Sequence, residues 1–492
     1  MKGYQERIAA PPLRWQEGLA GLLALAIGLH LPRSFALLYP LSALLLGCSW
    51  RDGGMRLLIW LRPWWPLPLA TLLYSLSYGV GMLQGQLWRW PADRAELLAC
   101  LLLPTLLLLA GLATAEGWGR RGWRLPLLIL TSYALGSLLF ALLALAVSRQ
   151  PWWNLQQSFA PELQIPWGSA DPVNVRSVEQ NAIAAVLSLP ACLIALRRGW
   201  TERRRWLLLL ACLPALLGLH AIFALQGRLG LLLLLLAALP PLAAALRAWR
   251  GGGRLGGRRL GLGLALLAAA LAAWPLQRLR GAGAAIGWAQ GLCDERFSLH
   301  LAILAQAWKA PWGGRQLQVP YQLCDGTPAL LAPQNGTVTL AHNVILDVFL
   351  DAGLVPAILL TLLLLPLLLL ALHAFLRCWR ARAWSWRIAW LWGWFVLLLG
   401  QWLFQPLLYA DGLLFYLSFF VFALLAAGLR QLPRPAGTGE LAAVQAVPAG
   451  RQGEAGTAVR IGQAPAAPPA ATGSAAAPPP AAARSPLDPP AE

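Results

Sequence analysis

Long apolar runs alternate with short polar loops along most of this chain. Each run is rich in Leu and Ala, carries few charges, and approaches the length of about 20 residues that a helix needs to cross a bilayer. This pattern predicts an all-α polytopic membrane protein with about twelve transmembrane helices. The predicted spans are residues 17–31, 34–50, 63–82, 94–114, 125–147, 177–196, 206–222, 229–246, 260–275, 344–376, 387–405 and 410–429.

The arginines indicate how these spans are oriented, because they cluster in every second loop. Loops on the cytoplasmic side of a membrane carry the excess of Lys and Arg. The clusters follow the even-numbered spans, at residues 51–62, 120–124, 197–205, 247–259 and 377–387. We therefore predict that both termini are cytoplasmic. The loops at 148–176, 223–228, 276–343 and 406–409 then lie outside.

Composition supports a membrane location and argues against a soluble protein. The chain is 58% hydrophobic and only 12% charged, which is too apolar for a soluble domain. Its net charge of +19 lies mainly in short loops beside apolar runs, so it indicates orientation rather than nucleic-acid binding. Residues 1–430 form the predicted transmembrane domain. Residues 431–492 are rich in Ala, Pro and Gly, and we expect a disordered cytoplasmic tail.

The predicted outer loop 276–343 is unusually long and polar for this chain, and long ordered loops are usually functional. Residues 296–308 have helical apolar spacing, which predicts an amphipathic helix at the outer interface, and the Pro and Gly residues of 309–314 end it. A helix that only plugs the outer mouth is the alternative.

The same loop holds Cys293 and Cys324, whose disulfide or two free thiols are equally consistent with the sequence. Cys and His spacing gives no zinc pattern, and we predict neither a metal nor a cofactor.

Polar residues recur where this loop enters the next span. Asn343, Asp347 and Asp351 are spaced every fourth residue, which predicts a polar stripe on one helical face. A helix dipole accounts for Asp347, whereas Asp351 lies a turn deeper and needs a partner or a wet cavity. His342 precedes the stripe and is suited to accept a proton near neutral pH, although a hydrogen-bonding role alone is also consistent.

Two further polar segments lie at predicted outer helix ends. In Gln226-Gly227-Arg228 the arginine opposes the charge bias, and its guanidinium either contacts lipid headgroups or binds phosphate oxygens bidentately. Gln180 and Asn181, at the entrance of the sixth predicted span, either contact a sugar or cap a helix.

The order of these features resembles the O-antigen ligase and polymerase superfamily of bacterial envelope glycosyltransferases. The resemblance covers roughly residues 176–425. Gln226 stands where a Ser is more usual, so a role for that side chain is not carried over. The matching segments are Gln180-Asn181, Gln226-Gly227-Arg228, Arg296, Pro311-Trp-Gly-Gly314, Ala341-His342-Asn343 and Asp351-Ala-Gly353-Leu.

The resemblance implies transfer of a glycan from undecaprenyl diphosphate at the outer face of a bacterial inner membrane, without a metal. Arg228 and Arg296 would hold the diphosphate, and His342 would orient or deprotonate the acceptor hydroxyl. The acceptor would be lipid A-core, another growing glycan or a protein hydroxyl. Further substrate-binding candidates are Gln180, Asn181, Arg315, Asn343 and Asp351.

Three alternatives to a ligase remain open. The first is a polymerase or protein O-oligosaccharyltransferase of the same superfamily. The second is a polysaccharide or lipid transporter, for which we would expect charged residues near the bilayer midplane and paired broken helices. The third is a structural or assembly protein without catalysis, which would hold if Arg228, Arg296 and His342 were far apart.

Overall fold

The computed structural model is almost entirely helical in the residues it describes. Those residues are 15–31, 34–84, 91–117, 124–147, 213–214, 216–222, 228–250, 295–308, 319–322, 326–331, 341–380, 384, 386–405 and 412–431. The helices are α1 (Trp15–Gly28), α2 (Ser34–Gly53), α3 (Met55–Leu61), α4 (Pro66–Gln84), α5 (Pro91–Glu116), α6 (Arg124–Val147), α7 (Arg228–Arg250), α8 (Glu295–Ala307), α9 (Val344–Ala352), α10 (Leu354–Arg380), α11 (Trp386–Phe404) and α12 (Gly412–Gly428). Short 3-10 turns cover Arg62–Trp64 and Leu429–Gln431, and the two strands are β1 (Val319–Gln322) and β2 (Pro328–Leu331).

Four helical segments among the described residues are long and apolar enough to cross a membrane. They are Leu98–Glu116, Arg124–Leu143, Leu354–Arg380 and Arg387–Phe404. Leu232–Pro241 and Leu413–Gly428 are apolar but shorter. The structure therefore supports a helical membrane protein. The count of about twelve spans stays a prediction, and the predicted spans 177–196 and 260–275 lie outside the described residues.

The centre of the bundle is α12, which is apolar on every side and buried from Leu413 to Leu429. A helix that is hydrophobic all round is buried among other helices. Its main neighbour is α5, and Gly111 of α5 brings the two backbones together. A Cβ at position 111 would lie only 2.4 Å from the backbone oxygen of Phe420.

The predicted continuous span 344–376 is wrong, because two helices occupy this stretch. Gly353 ends α9 with φ of 96°, a left-handed conformation that glycine adopts without a steric penalty. Its N–H still donates to the oxygen of Phe349, and α10 begins at the next residue. Asp347 and Asp351 therefore lie in a short separate helix before α10, which is long and apolar enough to cross a membrane, and not within it.

Helix α4 packs against both α9 and α10. The closest approach is at Gly81, where an added Cβ would lie 2.3 Å from the backbone oxygen of Ala352. Small residues at helix crossings allow this approach. The contact brings the last turns of α4 beside the aspartates of α9.

The helix predicted over residues 296–308 is confirmed as α8, but the sheet beside it was not predicted. Strands β1 and β2 pair antiparallel, with Val319 opposite Leu331 and Gln322 opposite Pro328. The Ser298 hydroxyl of α8 donates to the backbone oxygen of Gln322.

Candidate functional site

His342 lies in the short connection that leads into α9, and its backbone has φ of 56°. A residue other than glycine is uncommon in this region, and such a conformation persists where the surroundings impose it. Both neighbouring residues, Ala341 and Asn343, are hydrogen-bonded to other elements. The position of His342 is therefore determined on both sides.

Ala341 is buried and is held at both of its backbone polar groups. Its N–H donates to Oδ1 of Asp347 at 2.6 Å, and its carbonyl oxygen lies 2.7 Å from Nε2 of His300. Because a carbonyl only accepts, His300 donates through Nε2 and is the Nε2–H tautomer or the cation. Helices α8 and α9 thus hold the residue before His342 from opposite directions.

Asn343 caps α9 and also ties it to α11. Its Oδ1 accepts from the N–H groups of Ile345 and Leu346 at 3.1 and 3.2 Å, as an N-cap side chain does. Its Nδ2 donates to the backbone oxygen of Leu403, at 3.2 Å, near the end of α11. Asn343 thus lies ahead of the helix, so the predicted stripe on one helical face includes only Asp347 and Asp351.

Asp347 is fully buried, and its second carboxyl oxygen, Oδ2, has no hydrogen-bond partner among the described residues. Burial raises the pKa of this carboxyl well above its ordinary value. The N–H groups of Ala341 and Asn343 oppose the rise, and the neighbouring Asp351 adds to it. A neutral Asp347 carboxyl still accepts a hydrogen bond from the N–H of Ala341, so this contact does not require a buried charge.

Asp351 has the partner that its position requires, and that partner is Tyr78 of α4. The Tyr78 hydroxyl donates to Oδ2 of Asp351 at 2.9 Å, and both side chains are buried. Sequence reasoning missed Tyr78 because it is one hydroxyl in an apolar run. A buried tyrosine hydroxyl needs a partner, but the sequence does not tell which element provides it.

The backbone of α7 places Arg228 at the same end of the bundle as His342. Helices α7 and α11 run antiparallel, since Leu233 contacts Gly400 while Trp392 Nε1 donates to the oxygen of Leu236 at 3.2 Å. Position 228, about 8 Å before Leu233 along the axis, is therefore directed toward the end of α11 that Asn343 contacts. The side chain of Arg228 lies outside the described part of the structure.

Position 296 is also near this end. Arg296 lies in α8, one helical turn before His300, and residues four apart share a helical face. His300 is the residue whose imidazole contacts Ala341. The side chain of Arg296 is not described. The remaining predicted positions lie outside the described residues, namely Gln180, Asn181, Arg315, Cys293 and Cys324.

The described elements thus place His342, the start of α7 and the first turn of α8 toward the same end of the bundle. Within the described ranges, no group of three or more His, Cys, Asp or Glu side chains is placed to hold a metal ion. Comparison with protein-family models and with curated protein sequences finds no match. The resemblance to the O-antigen ligase superfamily therefore depends on the motif residues alone.

Proposed function

We propose that this protein transfers a glycan from undecaprenyl diphosphate to an acceptor hydroxyl at the outer face of a bacterial inner membrane, as an O-antigen ligase does. The observation that supports this most directly is the setting of His342, whose neighbour Ala341 is hydrogen-bonded to His300 and Asp347 and whose neighbour Asn343 is hydrogen-bonded to Leu403. A backbone held on both sides limits where the attached imidazole can lie, which suits a residue that transfers protons.

The proposed reaction is a displacement at C1 of the first sugar. The acceptor hydroxyl oxygen attacks C1 from the face opposite the diphosphate, and the bond between C1 and the phosphate oxygen breaks. His342 takes the hydroxyl proton, and undecaprenyl diphosphate leaves. Arg228 and Arg296 bind the diphosphate and stabilise the charge that develops on its oxygen, as guanidinium forks do with phosphate. In this scheme the arginines carry the phosphate charge, so no metal is needed.

The test is glycan transfer in cells that lack the native protein and carry single variants. His342→Ala and Arg228→Ala are expected to accumulate undecaprenyl-linked glycan and to leave the acceptor unmodified. The matched controls are His373→Ala, at an exposed position in the second half of α10, and Arg56→Ala, at an exposed position in α3. Both controls are expected to keep activity. A fully active His342→Ala protein at normal membrane levels would exclude His342 from the mechanism.

A second candidate function is transport of a polysaccharide or lipid, and two observations favour it. The helix break at Gly353 and the buried carboxyls of Asp347 and Asp351 are features found in ion-coupled transporters. They lie before α10 rather than within it, which favours the enzyme. Purified protein in detergent micelles separates the two, because an enzyme forms the new glycosidic bond there and a transporter does not.

A further inference from the structure

A pocket of about 490 Å³ lies at the opposite end of α4 from Tyr78. It is lined by Trp60, Trp64, Pro66, Leu67, Leu370 and Arg430, among others. Pro66 begins α4, so the pocket is about 18 Å along the helix axis from the Tyr78–Asp351 pair. It is therefore distinct from the candidate site at His342.

The walls of this pocket are held in place. The indole N–H of Trp60 donates to the backbone oxygen of Leu112 in α5 at 3.0 Å, and Trp64 is 7% exposed. Arg430, in the turn after α12, places its guanidinium carbon 5.2 Å from the centre of a Trp64 ring. This stacking orients the cation before any ligand arrives, so less side-chain entropy is lost on binding.

The chemistry of the lining is that of an amphiphile. A guanidinium binds a phosphate through two parallel hydrogen bonds, whereas Pro66, Leu67 and Leu370 offer only apolar surface. Beside the pocket, Leu69 of α4 and Leu369 of α10 are exposed. Both lie on helices that pack together, and exposed leucines on such helices face lipid chains in a membrane.

Trp65 indicates the depth of the pocket in the bilayer. It follows the 3-10 turn directly and is exposed, and exposed tryptophans of membrane proteins are enriched at the headgroup level. The arginine pattern of the sequence predicts that this end is cytoplasmic. Basic pockets between helices at that surface are suited to anionic lipid headgroups.

We propose that the Arg430 pocket binds an anionic phospholipid, with the lipid phosphate at the guanidinium and the acyl chains along Leu67 and Leu370. The apolar lining favours a lipid phosphate over free inorganic phosphate, because free phosphate would leave that surface without a partner. This site does not depend on the proposed glycan transfer.

The test is lipid retention by the purified full-length protein, measured by native mass spectrometry. Phosphatidylglycerol is compared with phosphatidylcholine of identical acyl chains, and inorganic phosphate is added as a competitor in a separate arm. Arg430→Gln is expected to weaken phosphatidylglycerol binding about fivefold, corresponding to about 1 kcal/mol for one basic residue near the surface. The control Arg56→Gln removes an equal charge from α3, outside the pocket lining, and is expected to change little.

A second variant tests the pocket without changing its charge. Leu370→Trp fills the cavity from α10, so it is expected to reduce phosphatidylglycerol binding while Arg430 is intact. The proposal is overturned if the wild-type protein shows no preference for phosphatidylglycerol, or if Arg430→Gln and Arg56→Gln behave alike. It is also overturned if millimolar inorganic phosphate displaces the lipid completely, since the site would then recognise phosphate alone.

Discussion

Replacing Tyr78 by Phe removes one hydroxyl and leaves the Asp351 carboxyl without the 2.9 Å hydrogen bond that it accepts from α4. Tyr78 is 0% exposed and Asp351 is 2% exposed, so water does not readily take the place of the lost donor. A hydrogen bond to a charged group contributes about 1.5–3 kcal/mol, and a neutral one about 0.5–1.5 kcal/mol. Leaving a buried acceptor without its donor costs about 1–3 kcal/mol, so we expect Tyr78→Phe to lower the free energy of unfolding by about that amount.

A double-mutant cycle separates this hydrogen bond from general packing. Replacing both partners with apolar groups of similar size removes the unpaired carboxyl together with its donor. The pair Tyr78→Phe and Asp351→Leu is therefore expected to cost less than the sum of the two single variants, by about 1 kcal/mol or more. Unfolding of the detergent-solubilised chain by SDS, followed by tryptophan fluorescence, measures each value.

Tyr74→Phe is the matched control for this cycle. Tyr74 lies one turn earlier on α4, is 2% exposed, and has ring contacts with Tyr78 and Phe419 but no hydroxyl hydrogen bond to a described residue. It loses the same atom without losing a partner, so we expect a change below about 0.5 kcal/mol. If Tyr78→Phe costs no more than Tyr74→Phe, or if the double variant is additive, the Tyr78–Asp351 contact is not a stabilising hydrogen bond.

Three further predictions follow from the contacts of α9 and of the residues just before it. Gly81→Ala places a Cβ 2.3 Å from a backbone oxygen of α9, and we expect it to lower the free energy of unfolding by about 1–3 kcal/mol. The control is Gly47→Ala, which has open space around its Cβ and is expected to be neutral or stabilising. Because burial raises the pKa of Asp347, the folded protein binds a proton at this carboxyl more tightly than the unfolded chain does. The free energy of unfolding therefore falls as the pH rises from the ordinary carboxyl pKa to the raised one. Asp347→Asn does not ionise and is expected to flatten a plot of Tm against pH; an unchanged plot would contradict the raised pKa. His300→Ala removes the donor that holds the residue before His342. In the proposed glycan transfer it is expected to reduce kcat roughly tenfold at unchanged KM, with partial rescue by His300→Gln. A variant that changes only KM would argue against this positioning role.

Local sequence patterns were sufficient for most of the helices. Apolar runs of near-membrane length predicted α1, α2 and α4 to α7 in broad position, and helical spacing predicted α8. Helix α3 was missed, because it lies in the arginine-bearing segment 51–62 that was predicted to be a loop. The error at Gly353 has a local reason, because an isolated glycine within an apolar run also fits a continuous helix. The hairpin of β1 and β2 was missed because strands this short carry no clear alternation of apolar and polar residues.

In the candidate site, too, some residues could be identified from the sequence and others only from the structure. His342 and Asn343 were singled out from the sequence, since polar residues at the end of a long loop stand out beside an apolar run. The contacts of His300 with Ala341 and of Tyr78 with Asp351 were not predicted, because in each pair the two residues lie far apart along the chain. Residue spacing contains no information about such contacts.

By itself, the sequence determined that this chain is helical and apolar enough for a membrane, because hydrophobic periodicity and helix length are local properties. The tertiary structure alone decided that Asp351 pairs with Tyr78, that Asp347 and His300 hold Ala341 from two sides, and that α7 packs antiparallel to α11. These relations depend on how helices cross. The close approach of α4 at Gly81 and the contact of α11 at Gly400 set those crossings, and they become visible only when distant segments are packed together.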